Sequence, residues 1–417
     1  MGQHSNISIE QLALQRDRYR HLSGEEWRWF LQQVEGRERT ADKLPTFAAM
    51  DDWWYPVRLS CEQCSSELTA RYKAQIVLGT WSNGTCLDLT GGYGVDAFFL
   101  SELFAHTDYV EQNAELCRIA AHNFALAHKN ISVHNTSAEA FLSSPIHGGI
   151  EGGVHLIFLD PARRDSHGGK VFRLADCTPN VVELLPSLLT HLAPDGRILL
   201  KLSPMLDITQ AIKELQTPPD LSGEEIIWDV YIVAVKNEVK EVLLLSRNTE
   251  LSNYRDTEPT ITAIDLSKKE QAFTFTREEE REAISLPLQR ELEELEGAFL
   301  YEPNAAILKA GAYKLVAARF GLHKLDPNTH LYISDTLVEH FPGRVWRIKE
   351  APFQLSPKGA RDKQANVLTR NYPLTPEQLK KKLHLRDGGT AYVIACRVAG
   401  KPTVFLAERV EDIHSES

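Results

Sequence analysis

Asp160 and Pro161 close an apolar run, "LIFLDPARR" (Leu156 to Arg164). A strand that ends on a carboxylate followed by proline sets two acceptors side by side. One is the Asp160 carboxylate. The other is the Pro161 carbonyl, on a backbone whose φ the ring fixes. Such a pair can accept two N–H bonds. Arg163 adds a guanidinium plane, which can stack on a flat ring. The loop "RRDSHGGKVFR" continues with Arg164, His167, Lys170 and Arg173 around Gly168-Gly169. It reads either as a phosphate-facing clamp or as a solvated loop.

Upstream, "LDLTGGYG" (Leu87 to Gly94) ends another apolar run on Asp88, then turns through Thr90, Gly92 and Gly94. In a doubly wound sheet, ligands sit beyond the carboxyl ends of the strands. Gly92, Gly94 and Ala97 satisfy G-x-G-x-x-G/A, a pattern of low specificity alone. Glu111, followed by Gln112, ends the next strand 17 residues after Gly94. A carboxylate there can accept both ribose hydroxyl bonds, so an adenosine-type ligand is implied. Asp88 would face a pyrophosphate poorly. It suits a ligand that carries an ammonium and a sulfonium. Ser137 follows the third strand and either meets the adenine edge or caps the next helix.

The elements that must position these residues alternate from Thr85 onward. Strands are expected at "TCLDLT", "DYVEQ", "ISVHN", "HLIFLD" and "GRILLKLS", with helices at 95–103, 114–128, 138–142, 179–192 and 208–215. This predicts a parallel sheet with helices on both faces. "IIWDVYIVAV" and "VKEVLLLS", joined tightly at 236–238, predict an antiparallel terminal hairpin. The fold class expected is therefore α/β with a Rossmann-like sheet. Residues 1–58 read as an N-terminal helical region and 59–248 as the sheet domain. Residues 249–273 read as a polar connector, and 278–296 as a charged helix inside a small α+β unit over 274–330. A helix is expected to run to Gly321. The last module spans 335–410 and holds a capped helix in "LTPEQLKKKLHLRDGG", where Thr375, Pro376 and Gln378 form the start signal.

Composition narrows the rest. The chain of 417 residues carries a net charge of -11, which argues against a general nucleic-acid binder. Yet residues 331–409 hold 14 Lys+Arg against 7 Asp+Glu. A basic module on an acidic body suggests a polyanion partner for that part alone, with Arg370, Lys380, Lys381 and Lys382 as candidate contacts. A solvated basic face is the plainer reading. The N-terminus is polar, and no run reaches the ~18 apolar residues of a membrane span. Six scattered cysteines suit a reducing compartment, so the cytoplasm is expected. Cys61 and Cys64 form a lone C-x-x-C without a second ligand pair, so no metal is expected.

"LDPARR" resembles motif IV of class I S-adenosylmethionine-dependent methyltransferases, written D/N-P-P-Y/F/W in amino methyltransferases and D-P-P/A-R in some RNA methyltransferases. With "DLTGGYGVD", "EQCSSELTARYKA", "KLSPMLD", "LYEPNAAILKAGAYKL" and "LTRNYPLTPEQLKKKL", the chain resembles a bacterial family of such enzymes that carry a ferredoxin-like and a C-terminal THUMP-like domain. Its methyltransferase core is similar to that of cap-guanosine N2 methyltransferases. The resemblance implies S-adenosylmethionine as cofactor and RNA as partner, with methylation of a base nitrogen by Asp160, Pro161 and Arg163. It also implies that Gln63 and Ser65 line the methionine end of the cofactor, although helix capping would explain both. Arg163 stands where base amino methyltransferases carry an aromatic residue. Carbon-5 methylation of pyrimidines also uses D-P-A-R but needs a cysteine nucleophile; "KLSPMLD" has none, and Cys177 reads as a buried helix-start residue. An RNA-binding protein with a vestigial or regulatory cofactor domain is the alternative from another class.

Overall fold

The computed structural model describes residues 9–77, 81, 83–144, 152–163, 173–216, 226–247, 258–267, 272–353 and 364–410. The chain divides into two compact units, residues 1–229 with 241–257, and residues 230–240 with 258–417.

In the first unit, after a short helical stretch at Ile9–Ala13, the long helix α1 (Gly24–Thr40) starts on a reciprocal capping box between Ser23 and Glu26. Helices α2 (Arg58–Gln63) and α3 (Glu67–Ile76) follow. Phe47, Trp53 and Tyr55, from the segment between α1 and α2, pack with Tyr93, Phe98 and Phe99 in one aromatic core. The N-terminal region thus shares its core with the glycine loop it precedes. Burial of these large rings supplies most of the local stabilisation, at roughly 25 cal/mol per Å² of apolar surface removed from water.

Strands β1 (Thr85–Asp88), β2 (His106–Glu111), β3 (Ile131–Asn135), β4 (Val154–Leu159) and β5 (Leu192–Leu202) alternate with α4 (Val95–Leu100), α5 (Ala114–Leu126), α6 (Ala138–Leu142) and α7 (Val181–His191). Helix α8 (Ile208–Leu215) follows β5. After β6 (Trp228–Val235), a turn at Lys236 and Asn237, both at positive φ, leads into β7 (Glu238–Ser246). Within the first unit the order is β7-β5-β4-β1-β2-β3. All pairs are parallel except β7, which runs antiparallel to β5. This is the expected parallel sheet with an antiparallel terminal strand. β1 and β4 are almost wholly buried, as strands covered on both faces must be. The register pairs Leu159 with Leu200, so the next residues, Asp160 and Lys201, emerge side by side.

In the second unit, β8 (Thr260–Asp265) pairs in parallel with β6, and β9 (Phe273–Thr276) pairs antiparallel with β8. Part of the expected connector is therefore a strand. "TITAID" has the β-branched alternation, hidden by its polar flanks. The expected long charged helix is only α9 (Arg277–Glu282). All six of its residues are charged, and Pro287 cannot sit within a continuing helix. The helix expected up to Gly321 is two, α10 (Ala305–Ala310) and α11 (Tyr313–Phe320), parted at Gly311 in the left-handed conformation. A second sheet joins β10 (Phe299–Pro303), β11 (His323–Asp326), β12 (Thr329–Ser334), β13 (Gly343–Glu350), β14 (Asn366–Arg370), β15 (Ala391–Val398) and β16 (Lys401–Arg409) in the order β11-β12-β10-β13-β16-β15-β14. The capped helix α12 (Pro376–Leu383) follows β14 and buries Leu379.

Candidate active site

The carboxyl ends of the parallel strands surround a cavity of about 300 Å³ in the first unit. Asp88, Thr90, Gly92, Gly94, Glu111, Gln112, Ser137, Gln63 and Ser65 all line it, and so does Asp160. The structure thus brings together every residue that sequence placed around an adenosine-type ligand. Pro161 follows Asp160, and Arg163 lies in a two-residue ladder with Cys177. Arg164 and Lys170 lie outside the described residues.

The glycine loop is built by close approach. Gly94 has φ +85°, and a Cβ there would come within 2.7 Å of the Phe124 ring. Gly92 has φ +56°; its bare Cα lines the cavity, and a Cβ would meet nothing nearer than Thr90 O at 3.8 Å. Its N–H donates to Glu111 Oε2 at 2.9 Å, and the Asn113 N–H donates to Glu111 Oε1 at 2.8 Å. Glu111 is thereby fixed at the end of β2. Ser137 Oγ accepts from the Ala140 N–H at 3.2 Å and caps α6. It therefore caps a helix and lines the cavity, with its hydroxyl proton uncommitted among the described residues.

Asp88 is buried, and its Oδ1 accepts from the Thr90 N–H at 3.0 Å. Burial pushes its carboxyl well above the usual range, the Thr90 bond works against this, and the charges of Asp96, Asp160 and Glu111 add to the rise. The Thr90 hydroxyl accepts from the Asp160 N–H at 2.6 Å, tying the end of β4 to the glycine loop.

Beyond these residues lies a charged cluster that sequence reading missed. Lys73, on α3, is fully buried and donates to both Glu241 oxygens at 2.8 Å and 2.8 Å. Its Nζ lies 3.2 Å from Asp96 Oδ1, and Ser65 Oγ donates to Asp96 Oδ2 at 2.7 Å. Ser65 is thus neither a simple cap nor a free donor; Ser66 caps α3. Lys201 Nζ lies 2.5 Å from Asp160 Oδ2 and 4.0 Å from Asp96 Oδ2. Burial alone would raise Asp96, yet Lys73, Lys201 and the Ser65 hydroxyl hold its carboxyl below the usual range. For Glu241 burial wins over Lys73 and Lys201, and the carboxyl is raised. Burial works against the Lys201 ammonium, but Asp160, Asp96 and Glu241 hold its pKa above the ordinary lysine value. The one trace of it in the sequence is that Lys201 interrupts the apolar run "ILLKL" and Glu241 directly precedes "VLLLS".

In the second unit, Arg370 does not project free. Its Nε donates to Glu302 Oε1 at 2.5 Å, and Arg344 donates to the other oxygen of that buried carboxylate. The guanidinium is thus paired within the protein, while its side chain stays 40% exposed. On α12, Lys380 pairs with Asp387, whereas Lys381 and Lys382 are exposed.

Two family models match the C-terminal part: a ferredoxin-like domain over residues 299–342 and a THUMP-like domain over residues 343–409. An uncharacterized S-adenosylmethionine-dependent methyltransferase of Mycobacterium tuberculosis is 23% identical over 383 residues, covering 89% of this chain and 92% of its own. A candidate methyltransferase of Porphyromonas gingivalis W83, known from a crystal structure, is 32% identical with a TM-score of 0.78, and the match covers 94% of this chain and 92% of that one. The chain belongs to this family of S-adenosylmethionine-dependent methyltransferases. The cavity of the methyltransferase fits that cofactor by charge. Among the described residues lining it stand five carboxylates (Asp88, Asp96, Glu111, Glu139 and Asp160) and a single ammonium, Lys201. A ligand with a sulfonium and an ammonium meets complementary walls there, whereas a pyrophosphate would be repelled. Among the described residues no cluster of side chains is placed to hold a metal ion, and no helix is long and apolar enough to cross a membrane.

Proposed function

We propose that the enzyme methylates RNA at a base nitrogen and works in the cytoplasm. When bound, S-adenosylmethionine supplies a methyl group activated on sulfur. Glu111 accepts the ribose hydroxyl bonds, and the backbone at Gly92 and Gly94 allows close approach. Gln112 and the Ser137 hydroxyl face the adenine, Asp88 faces the cationic part, and Gln63 and Ser65 line the methionine end. The observation that carries the reading is the state of Asp160. Its Oδ2 is held by Lys201 and its N–H by Thr90, while its Oδ1 accepts no bond from any described residue. A carboxylate anchored on one oxygen and open on the other is suited to accept an amine N–H beside the methyl donor. The Pro161 carbonyl offers a second acceptor. Alignment of the two reacting atoms and exclusion of water supply the rest of the acceleration. Arg163 is proposed to stack on the base or meet its phosphate, and Arg164 and Lys170 to meet the RNA backbone.

RNA is favoured by the basic excess of residues 331–409 and by the THUMP-like match over residues 343–409 within it. The exposed Lys381 and Lys382 are the contacts we propose there. Free cysteines throughout agree with the cytoplasm. The test is mass spectrometry of RNA nucleosides from cells with and without the gene. Loss of one N-methylated nucleoside is expected. An unchanged RNA profile together with loss of a protein or small-molecule methyl mark would contradict the reading.

A further inference from the structure

We propose that Lys201 binds the carboxylate of the cofactor's methionine moiety. The inference rests on the cofactor's identity and is independent of the RNA reading.

Sheet order fixes which end of the cavity Lys201 occupies. Glu111 and Ser137 stand at the ends of β2 and β3, on one side of β1. Asp160 and Lys201 stand at the ends of β4 and β5, on the other. With the ribose on Glu111, the amino-acid end of the ligand runs toward Asp96, Asp160 and Lys201. That end carries a carboxylate as well as an ammonium. Burying the carboxylate without a donor would be costly. Its ammonium has acids on every side. Its carboxylate has one cation available among the described residues of the wall.

Lys73 cannot serve in its place. It does not line the cavity, and its Nζ is taken by both oxygens of Glu241, with Asp96 beside it. Lys201 differs. Its side chain is 12% exposed and borders the cavity, and its only hydrogen bond to a described residue goes to Asp160 Oδ2. Asp96 Oδ2, at 4.0 Å, is an ionic neighbour rather than a bonded acceptor. Two N–H donors of a nearly buried ammonium therefore remain unspent, and three carboxylates keep that ammonium charged. Asp160 and Asp96 also pre-position the Nζ, so little entropy is lost on engaging a ligand.

The test is isothermal calorimetry of the full-length protein with S-adenosylmethionine and with decarboxylated S-adenosylmethionine, which keeps the sulfonium and ammonium. The wild type should bind the carboxylate-bearing ligand about ten- to a hundredfold more tightly, as one charge-assisted bond implies. Lys201→Met should bring the two affinities to within about threefold of each other, mainly by weakening the first. Lys201→Arg should restore part of the preference. Circular dichroism confirms folding. If Lys201→Met does not fold, Lys201→Met/Asp160→Asn removes the unpaired carboxylate and is measured instead. A wild type without preference, a preference that survives loss of the lysine, or an equal loss for both ligands would each overturn the proposal.

Discussion

Binding of the methyl donor should release a proton, and Asp88 should be its source. Asp88 is 1% exposed, accepts one N–H from Thr90 at 3.0 Å, and shares the cavity with Asp96, Asp160 and Glu111. Burial, opposed by that N–H and reinforced by those charges, raises its carboxyl well above the ordinary range. A cationic ligand favours the ionised form, so binding and ionisation support one another. The sign follows. In the free protein the pKa is high and in the complex it is lower, so affinity falls as pH falls through the free-protein value. Linkage allows up to tenfold per pH unit for one proton, or about a hundredfold over two units. S-adenosylhomocysteine has no sulfonium, so its slope should be shallower. Calorimetry from about pH 5 to pH 8, in buffers of different ionisation enthalpy, counts the protons released. Asp88→Asn should flatten the slope and cost about 1.5–3 kcal/mol of donor binding at the alkaline end. Equal slopes for the two ligands, or a slope unchanged in Asp88→Asn, would refute the reasoning.

Glu111→Ala should lose about 1.5–3 kcal/mol of S-adenosylmethionine binding, measured by calorimetry, because a charged acceptor for the ribose is gone. Lys73→Met should lower stability by about 3–5 kcal/mol in denaturant unfolding, because it strands the buried Glu241 carboxylate. Reversing Lys381 and Lys382 to Glu should weaken RNA binding and make its salt dependence shallower in fluorescence anisotropy, while cofactor affinity stays unchanged.

The sheet was legible because each parallel strand is a short apolar run ending at a turn, and the helices between them follow their own period. The strand-end residues were legible for the same reason. Once β1, β2 and β4 are placed, Asp88, Glu111 and Asp160 must meet at one edge. The charge cluster was not legible. Lys73 and Glu241 are 168 positions apart, and a charged residue among other charged residues looks like a surface residue until its partner is known. The ion pair of Arg370 was not legible for a related reason: nothing in "LYEPN" reveals that Glu302 is buried and faces two arginines. The charged stretch after Thr276 has helical composition, but that says nothing of length, and Pro287 limits what can continue. β8 is hard to read because its alternating "TITAID" is set between polar flanks.

The most direct test of the account is single-turnover transfer of labelled methyl from saturating S-adenosylmethionine to RNA taken from cells that lack the gene, comparing the wild type with Asp160→Asn. The substitution keeps the shape and one acceptor oxygen but removes the charge. The wild type should label RNA on a base nitrogen. Asp160→Asn should bind cofactor and RNA yet transfer about 10²–10³ times more slowly, as expected for one electrostatic contact made as the methyl moves. Near-normal transfer by Asp160→Asn would mean that Asp160-Pro161 is only a turn, and absence of any transfer by the wild type would contradict the assignment to RNA.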